Sequence, residues 1–192
     1  MHLDPFLARL EDRAGPLGPF RSFEDYQGAW ESWVAGARPE WADRLLDLLV
    51  APGPPSAAPE DWRQAIEECL HRSARADVDA FLRRTAPALK DSRTRPTVVN
   101  VLASLRDPRA LPLLGSLLGD RDLGDEDLAG LAFALGEIGG PRAEDLLRRL
   151  GERAPATGKL RAEIDAARAL ASLPAAGRLE RLGEPYAPPG DR

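Results

Sequence analysis

Pro-Arg-Ala stands at 108–110 and again at 141–143, thirty-three residues later, each time ahead of a leucine-rich run. Three shared residues can be chance, so the test is whether the same shift aligns the surroundings. Val98, Leu102, Leu105, Pro108, Arg109, Ala110, Leu114 and Leu117 then meet Leu131, Leu135, Ile138, Pro141, Arg142, Ala143, Leu147 and Leu150. Every pair matches in type. A shift of 35 carries Leu131, Ala132, Leu135 and Ile138 onto Ala166, Ala167, Leu170 and Leu173. A backward shift of 36 carries Leu102 and Leu105 onto Ile66 and Cys69.

A period of 33–36 residues holding two helices per unit is the signature of an α-solenoid, in which each pair buries a face too wide to stand alone against its neighbours. The local signals agree. Apolar residues recur at helical spacing over 39–50, 59–74, 76–90, 94–105, 108–119, 125–138, 141–152 and 158–173. Pro-Thr-Val-Val-Asn-Val-Leu at 96–102 reads as helix rather than strand, because Val98, Val101, Leu102 and Leu105 share one helical face. Pro108 and Pro141 suit a first turn, where no N–H is needed, and Asp107 suits the N-cap before it. Gly119 and Gly139-Gly140 suit chain reversals, and Ala132 and Ala167 permit close helix approach. The expectation is an all-α solenoid of about four helix pairs over 39–175. Helices near 3–13 and 22–37, within 1–38, would cap it, and 176–192 would form a Pro/Gly-rich tail.

The stretch Leu105–Leu147 also resembles a known family, the HEAT-like repeats of the phycobilin-lyase type. Asp107, Pro108, Arg109 and Ala110 match the start of such a repeat. Asp120 and Asp122 match its turn, and Ala134, Leu135, Gly136, Ile138 and Gly139 its close. The match is strong over 100–150, weaker over 60–99 and 151–175, and absent before about residue 38. The family usually carries a Val-Arg pair early in the second helix; here those places hold Thr94-Arg95, Asp127-Leu128 and Ala162-Glu163, so only Arg95 survives. The resemblance implies a right-handed superhelix whose second helices line a concave face. It is poor in function: proteins of this type include chromophore lyases, hydroxylases, DNA-repair enzymes and scaffolds, and a shared fold does not choose among them.

Composition narrows the classes. The net charge is −5, and residues 1–60 hold 10 acids against 5 arginines while 61–192 hold 21 of each sign. Phosphate binding rests on Lys and Arg, so nucleic acid is not an expected partner. No apolar run approaches transmembrane length, and the acidic N-terminus does not read as a secretory signal. Cys69 is the single cysteine, which together with these points suggests a reducing, cytoplasmic setting. The preference for Arg over Lys, with much Ala, Gly and Pro, suggests a bacterial coding sequence. Catalytic patterns are missing. His2 and His71 are the only histidines, no metal-ligand spacing occurs, and the His-Glu motif of di-iron HEAT-repeat hydroxylases is absent. Cys69 aligns with the core position of Leu105 and reads as a small buried hydrophobe. No catalytic residue, cofactor or metal is expected.

Function is then sought in what the repeats do not share. Non-core positions of the second helices form ladders across units: Gln64, Asn100, Phe133 and Arg168; Glu68, Ser104, Glu137 and Ser172; Thr97, Gly130 and Asp165. Their mixed charges resemble a protein-binding face more than a phosphate track. Phe133 is the odd large apolar member, directed either into the core or into a groove. Phe23, Tyr26, Trp30 and Trp33 form a second candidate, as a hydrophobic end cap or a partner-binding patch. The leading expectation is a non-catalytic interaction module or adaptor that binds a partner protein through its concave face. An immunity or antitoxin-type inhibitor, suggested by small size and an acidic N-terminus, is the alternative. A chromophore-lyase-like or lyase-chaperone subunit, suggested by repeat type alone, is the third.

Overall fold

A computed structural model describes residues 38–50, 59–154 and 157–174; the side chains of Pro39 and of 59–65 fall outside that description. The expected helices at 3–13 and 22–37, the aromatic residues Phe23, Tyr26, Trp30 and Trp33, and the tail at 176–192 lie outside the described residues. Eight α-helices are described: α1 (Ala42–Val50), α2 (Pro59–Ala76), α3 (Val78–Thr85), α4 (Arg95–Leu105), α5 (Leu111–Ser116), α6 (Asp125–Ile138), α7 (Pro141–Arg153) and α8 (Lys159–Ala171). No strand occurs among the described residues, and the fold is all-α and of the solenoid type. The described residues divide into two compact units after Val101, inside α4, where the sequence pattern shows no break.

In the first unit, α1 packs on α2 and α3. Its stripe is Ala42, Leu45, Leu46 and Leu48, all buried, and Trp41 from the preceding 3₁₀ turn joins it. Ile66, Cys69, Leu70, Ala74 and Phe81 face inward from α2 and α3. Asp77 caps α3, its Oδ1 accepting from the backbone N–H of Ala80 at 2.9 Å. α3 stops at Thr85 because Pro87 cannot donate to the helix ladder; a 3₁₀ turn, Pro87–Lys90, follows. Arg95 is buried, and its Nε–H donates to the carbonyl of Leu89 at 2.8 Å. It therefore ties the start of α4 to the 3₁₀ turn before it. The segment read as helix rather than strand is helix α4.

In the second unit, α6 packs against both α7 and α8, and α5 packs against α6 and α7. α6 begins with Asp125, Glu126 and Asp127, whose charges favour a helix N-terminus. Leu128, Leu131, Ala132, Ala134, Leu135 and Ile138 are buried along it. Full burial of a leucine such as Leu131 or Leu135 contributes roughly 2 kcal/mol. α6 and α8 approach closely at Gly136, where an added Cβ would lie 3.2 Å from the Cα, Cβ and carbonyl oxygen of Ala167. Gly139 (φ 65) and Gly140 (φ 84) make the reversal into α7, and the Gly140 N–H donates to the Ala171 carbonyl at 3.2 Å. Gly119 has no such role: it closes a 3₁₀ turn without a positive φ.

One expected helix is corrected. Residues 108–119 do not form a single α-helix but a 3₁₀ turn (Pro108–Ala110), the short α5 and a second 3₁₀ turn (Leu117–Gly119). Pro112 is the cause, since it sits within the first turns without an N–H to give.

Candidate functional site

Position 133 faces away from the leucine stripe of α6, and Phe133 is 52% exposed, the one large exposed hydrophobic among the described residues. Of the two readings open to Phe133, the structure gives the groove. Ala129 and Gly130, one turn earlier on α6, share its face. Opposite them α8 presents Glu163, Ala166, Ala167 and Leu170. The result is a cleft of ≈ 600 Å³ between the two helices. Its origin is side-chain size: Gly and Ala on both helices leave the floor empty, while Phe133 and Leu170 stand up as walls. One end is acidic. Glu163 lines it, paired with exposed Lys159 at 3.6 Å.

The expected ladders are only partly realised. Phe133 and Gly130 line the cleft together. Arg168 does not join them; it lines a separate groove with Ser172 on the side of α8 that meets α7. Asp165 is exposed and pairs with Arg161 at 3.3 Å and Arg168 at 4.0 Å. The 35-residue shift relates equivalent positions, whereas the side chains that meet Phe133 across the cleft are set by the crossing of α6 and α8. Sequence reasoning therefore misses Ala129, Glu163, Ala166 and Leu170; the one sequence signal for them is the run of small residues at helical spacing on both helices.

Thr97 and Glu137 are corrected outright, for both are buried, each 3% exposed. The Thr97 hydroxyl donates to Glu67 Oε1 at 3.2 Å, joining α4 to α2 within the first unit. Glu137 Oε2 accepts from the Nε–H of Arg106 at 3.0 Å. Arg106 has φ 51, the one positive φ of a non-glycine residue among the described residues. This pair, with Glu137 buried and Arg106 about a quarter exposed, fixes the turn between α4 and the first Pro-Arg-Ala. Asn100 is exposed, Ser104 is half-buried, and Glu68 is partly exposed and pairs with Arg72 at 3.5 Å. The side chain of Gln64 is outside the description.

The remaining chemistry is sparse. Cys69 is fully buried, and burial, with the nearby Glu68 carboxylate, pushes its thiol up to about 12. A thiol held so far from ionisation is a poor nucleophile. Burial also lowers the pKa of His71. Among the described residues no group of three or more His, Cys, Asp or Glu is arranged to hold a metal ion. No described helix is long and apolar enough to cross a membrane.

Comparison with known proteins agrees with this architecture. Residues 128–150 match the PBS lyase HEAT-like repeat. No curated protein and no solved structure matches the chain. The matched span runs from Leu128 of α6 to Leu150 of α7, through the Gly-Gly reversal and the second Pro-Arg-Ala. The segment that carries Phe133 is similar to a HEAT-like repeat of the PBS lyase type.

Proposed function

We propose that this chain is a protein-interaction module that takes an apolar segment of a partner into the α6–α8 cleft. One observation carries the reading: the one large exposed hydrophobic among the described residues, Phe133, stands at the wall of an apolar cleft. A few well-packed anchors dominate binding free energy in protein interfaces, and aromatic side chains, Phe included, are enriched at interface cores. Glu163 in the lining favours a partner with a Lys or Arg next to its apolar anchor, because a charge on the rim steers association and fixes orientation.

Two substitutions test the cleft without touching the core. Phe133→Asp removes the wall and adds a charge. Gly130→Leu fills the floor; nothing lies within 4 Å of a Cβ built at Gly130, so the backbone need not move. The measurement is affinity recovery from the native host, followed by binding to the recovered partner. Truncating a central interface aromatic costs about 2 kcal/mol or more, roughly thirtyfold in affinity. Both variants are expected to melt like wild type and to lose the partner by at least that factor. Retention of the partner by both variants removes the cleft as the site.

A further inference from the structure

We infer that the groove at the end of the second unit, between α7 and α8, is the docking surface for the chain's own segment Pro174–Glu184. This segment would form the first helix of a further repeat. The inference does not rest on the function proposed above, which concerns the opposite flank of α8.

The sequence supplies the first observation. Leu147-Arg148-Arg149-Leu150-Gly151-Glu152 in α7 recurs, thirty-two residues on, as Leu179-Glu180-Arg181-Leu182-Gly183-Glu184, identical at five of six positions. Pro174 lies thirty-three residues after Pro141, so the further segment opens as α7 does and is one residue shorter before its leucines. Leu147 and Leu150 are fully buried in α7. In sequence, Leu179 and Leu182 therefore correspond to Leu147 and Leu150.

The structure supplies the second. Within the second unit, α7 docks on α5 beside Leu111, Pro112 and Gly115. Moved on by thirty-three residues these become Glu144, Asp145 and Arg148. All three line the end groove, of ≈ 560 Å³, together with Ala169 of α8 and Ser172 just after it. The end groove is thus the place where the next first helix belongs by repetition of the α5–α7 contact. Its residues are more polar than those of α5, which suits a helix carrying Arg178 and Arg181. Asp145 is already paired with Arg148 at 2.6 Å, whereas Glu144 has no ion-pair partner among the described residues. The third observation is position. Pro174 is the last described residue, two places after Ser172 of the groove, so the segment starts at its docking surface.

Amide hydrogen exchange on the full chain tests this, because docking protects what it covers. Wild type is compared with the double variant Leu179→Asp/Leu182→Asp. Undocking is expected to speed exchange about tenfold or more in Pro141–Arg148 and Arg168–Ser172, with Ala129–Phe133 unchanged. A second readout keeps the result specific: Glu144→Arg should lower the melting temperature, and Arg178→Glu/Arg181→Glu should restore part of that loss. Unchanged exchange in both α7 and α8 overturns the inference. So does a change confined to Ala129–Phe133, which would put the segment in the cleft, and so do additive effects of the charge reversals.

Discussion

From Pro108 the chain makes a 3₁₀ turn, six α-helical residues and a second 3₁₀ turn; from Pro141 it runs through thirteen α-helical residues without interruption. Both begin with Pro-Arg-Ala, so the tripeptide starts a helix but does not set its length. The residues after it do. Pro112 has no N–H for the carbonyl of Pro108, which accepts instead from Leu111 in the tighter 3₁₀ manner. Gly115 and Ser116 then add weak helix formers. The corresponding places in α7 are Asp145, Arg148 and Arg149. Arg148 reaches Asp145 at 2.6 Å and Glu152 at 2.8 Å, exposed pairs at the helical spacings that favour a continuous helix.

The starts differ as well. Asp107 caps the first segment, accepting from the Arg109 N–H at 2.9 Å. Gly140 offers no side chain, and its N–H bonds to Ala171 of α8 instead. A side-chain cap serves the segment that follows the left-handed turn at Arg106. A backbone anchor serves the one that leaves a double-glycine reversal beside another helix.

The largest test concerns the turn into the first segment. Arg106→Ala leaves the Glu137 carboxylate buried without the ion pair, and one oxygen of that carboxylate already lacks a hydrogen-bond partner. Breaking such a pair from the cationic side costs about 3 kcal/mol. Glu137→Ala is expected to cost clearly less, because the quarter-exposed Arg106 can turn to water. Urea denaturation of the two variants measures the gap. Equal losses would place the strain in the turn rather than in the buried charge.

The two starts come next. Gly140→Ala forces a side chain into φ 84 and should cost about 1–2 kcal/mol. Asp107→Ala removes a cap and should cost about 1 kcal/mol. Only the second loss should depend on pH. Its hydrogen bond and charge contact with Arg109 hold Asp107 below the ordinary aspartate value. A carboxylate with a depressed folded-state pKa stabilises fully above its unfolded value, about 3.9, and loses that contribution as pH falls through the folded value. Thermal melts of wild type and Asp107→Ala should therefore converge below about pH 3.9, while those of wild type and Gly140→Ala stay apart. A constant Asp107 gap across that range would show that the cap acts without its charge.

These differences also show what can be read from sequence. The helix phase, the Asp107 cap, the core place of Cys69 and the Gly-Gly reversal are local or strictly repeated, and the pattern displays them. Thr97 and Glu137 read as surface residues because a polar residue at a non-core position normally is one. Their burial depends on Glu67 and Arg106, thirty and thirty-one residues away, and no local pattern displays a partner at that range. The cleft is half legible. Phe133 and Gly130 stand out as ladder members, but Ala166 and Leu170 are ordinary core-type residues until the crossing of α6 and α8 is known.

The smallest expected effect is the most pointed test of the two segments, because it makes the first more like the second. A Cβ added at Gly115 would lie 3.1 Å from Cδ2 of Leu146. That atom is the far end of a flexible side chain, so a shift of a few tenths of an ångström relieves the contact. Gly115 does not use a positive φ, so alanine is free to adopt its backbone. Alanine exceeds glycine by about 1 kcal/mol in a helix interior, and the repacking of Leu146 takes back part of it. Gly115→Ala is therefore expected to stabilise by about 0.5 kcal/mol, seen as a small rise in the urea midpoint at constant slope. A fall in the midpoint would mean that Leu146 cannot yield, and that α5 is short because α7 packs against it rather than because of its own sequence.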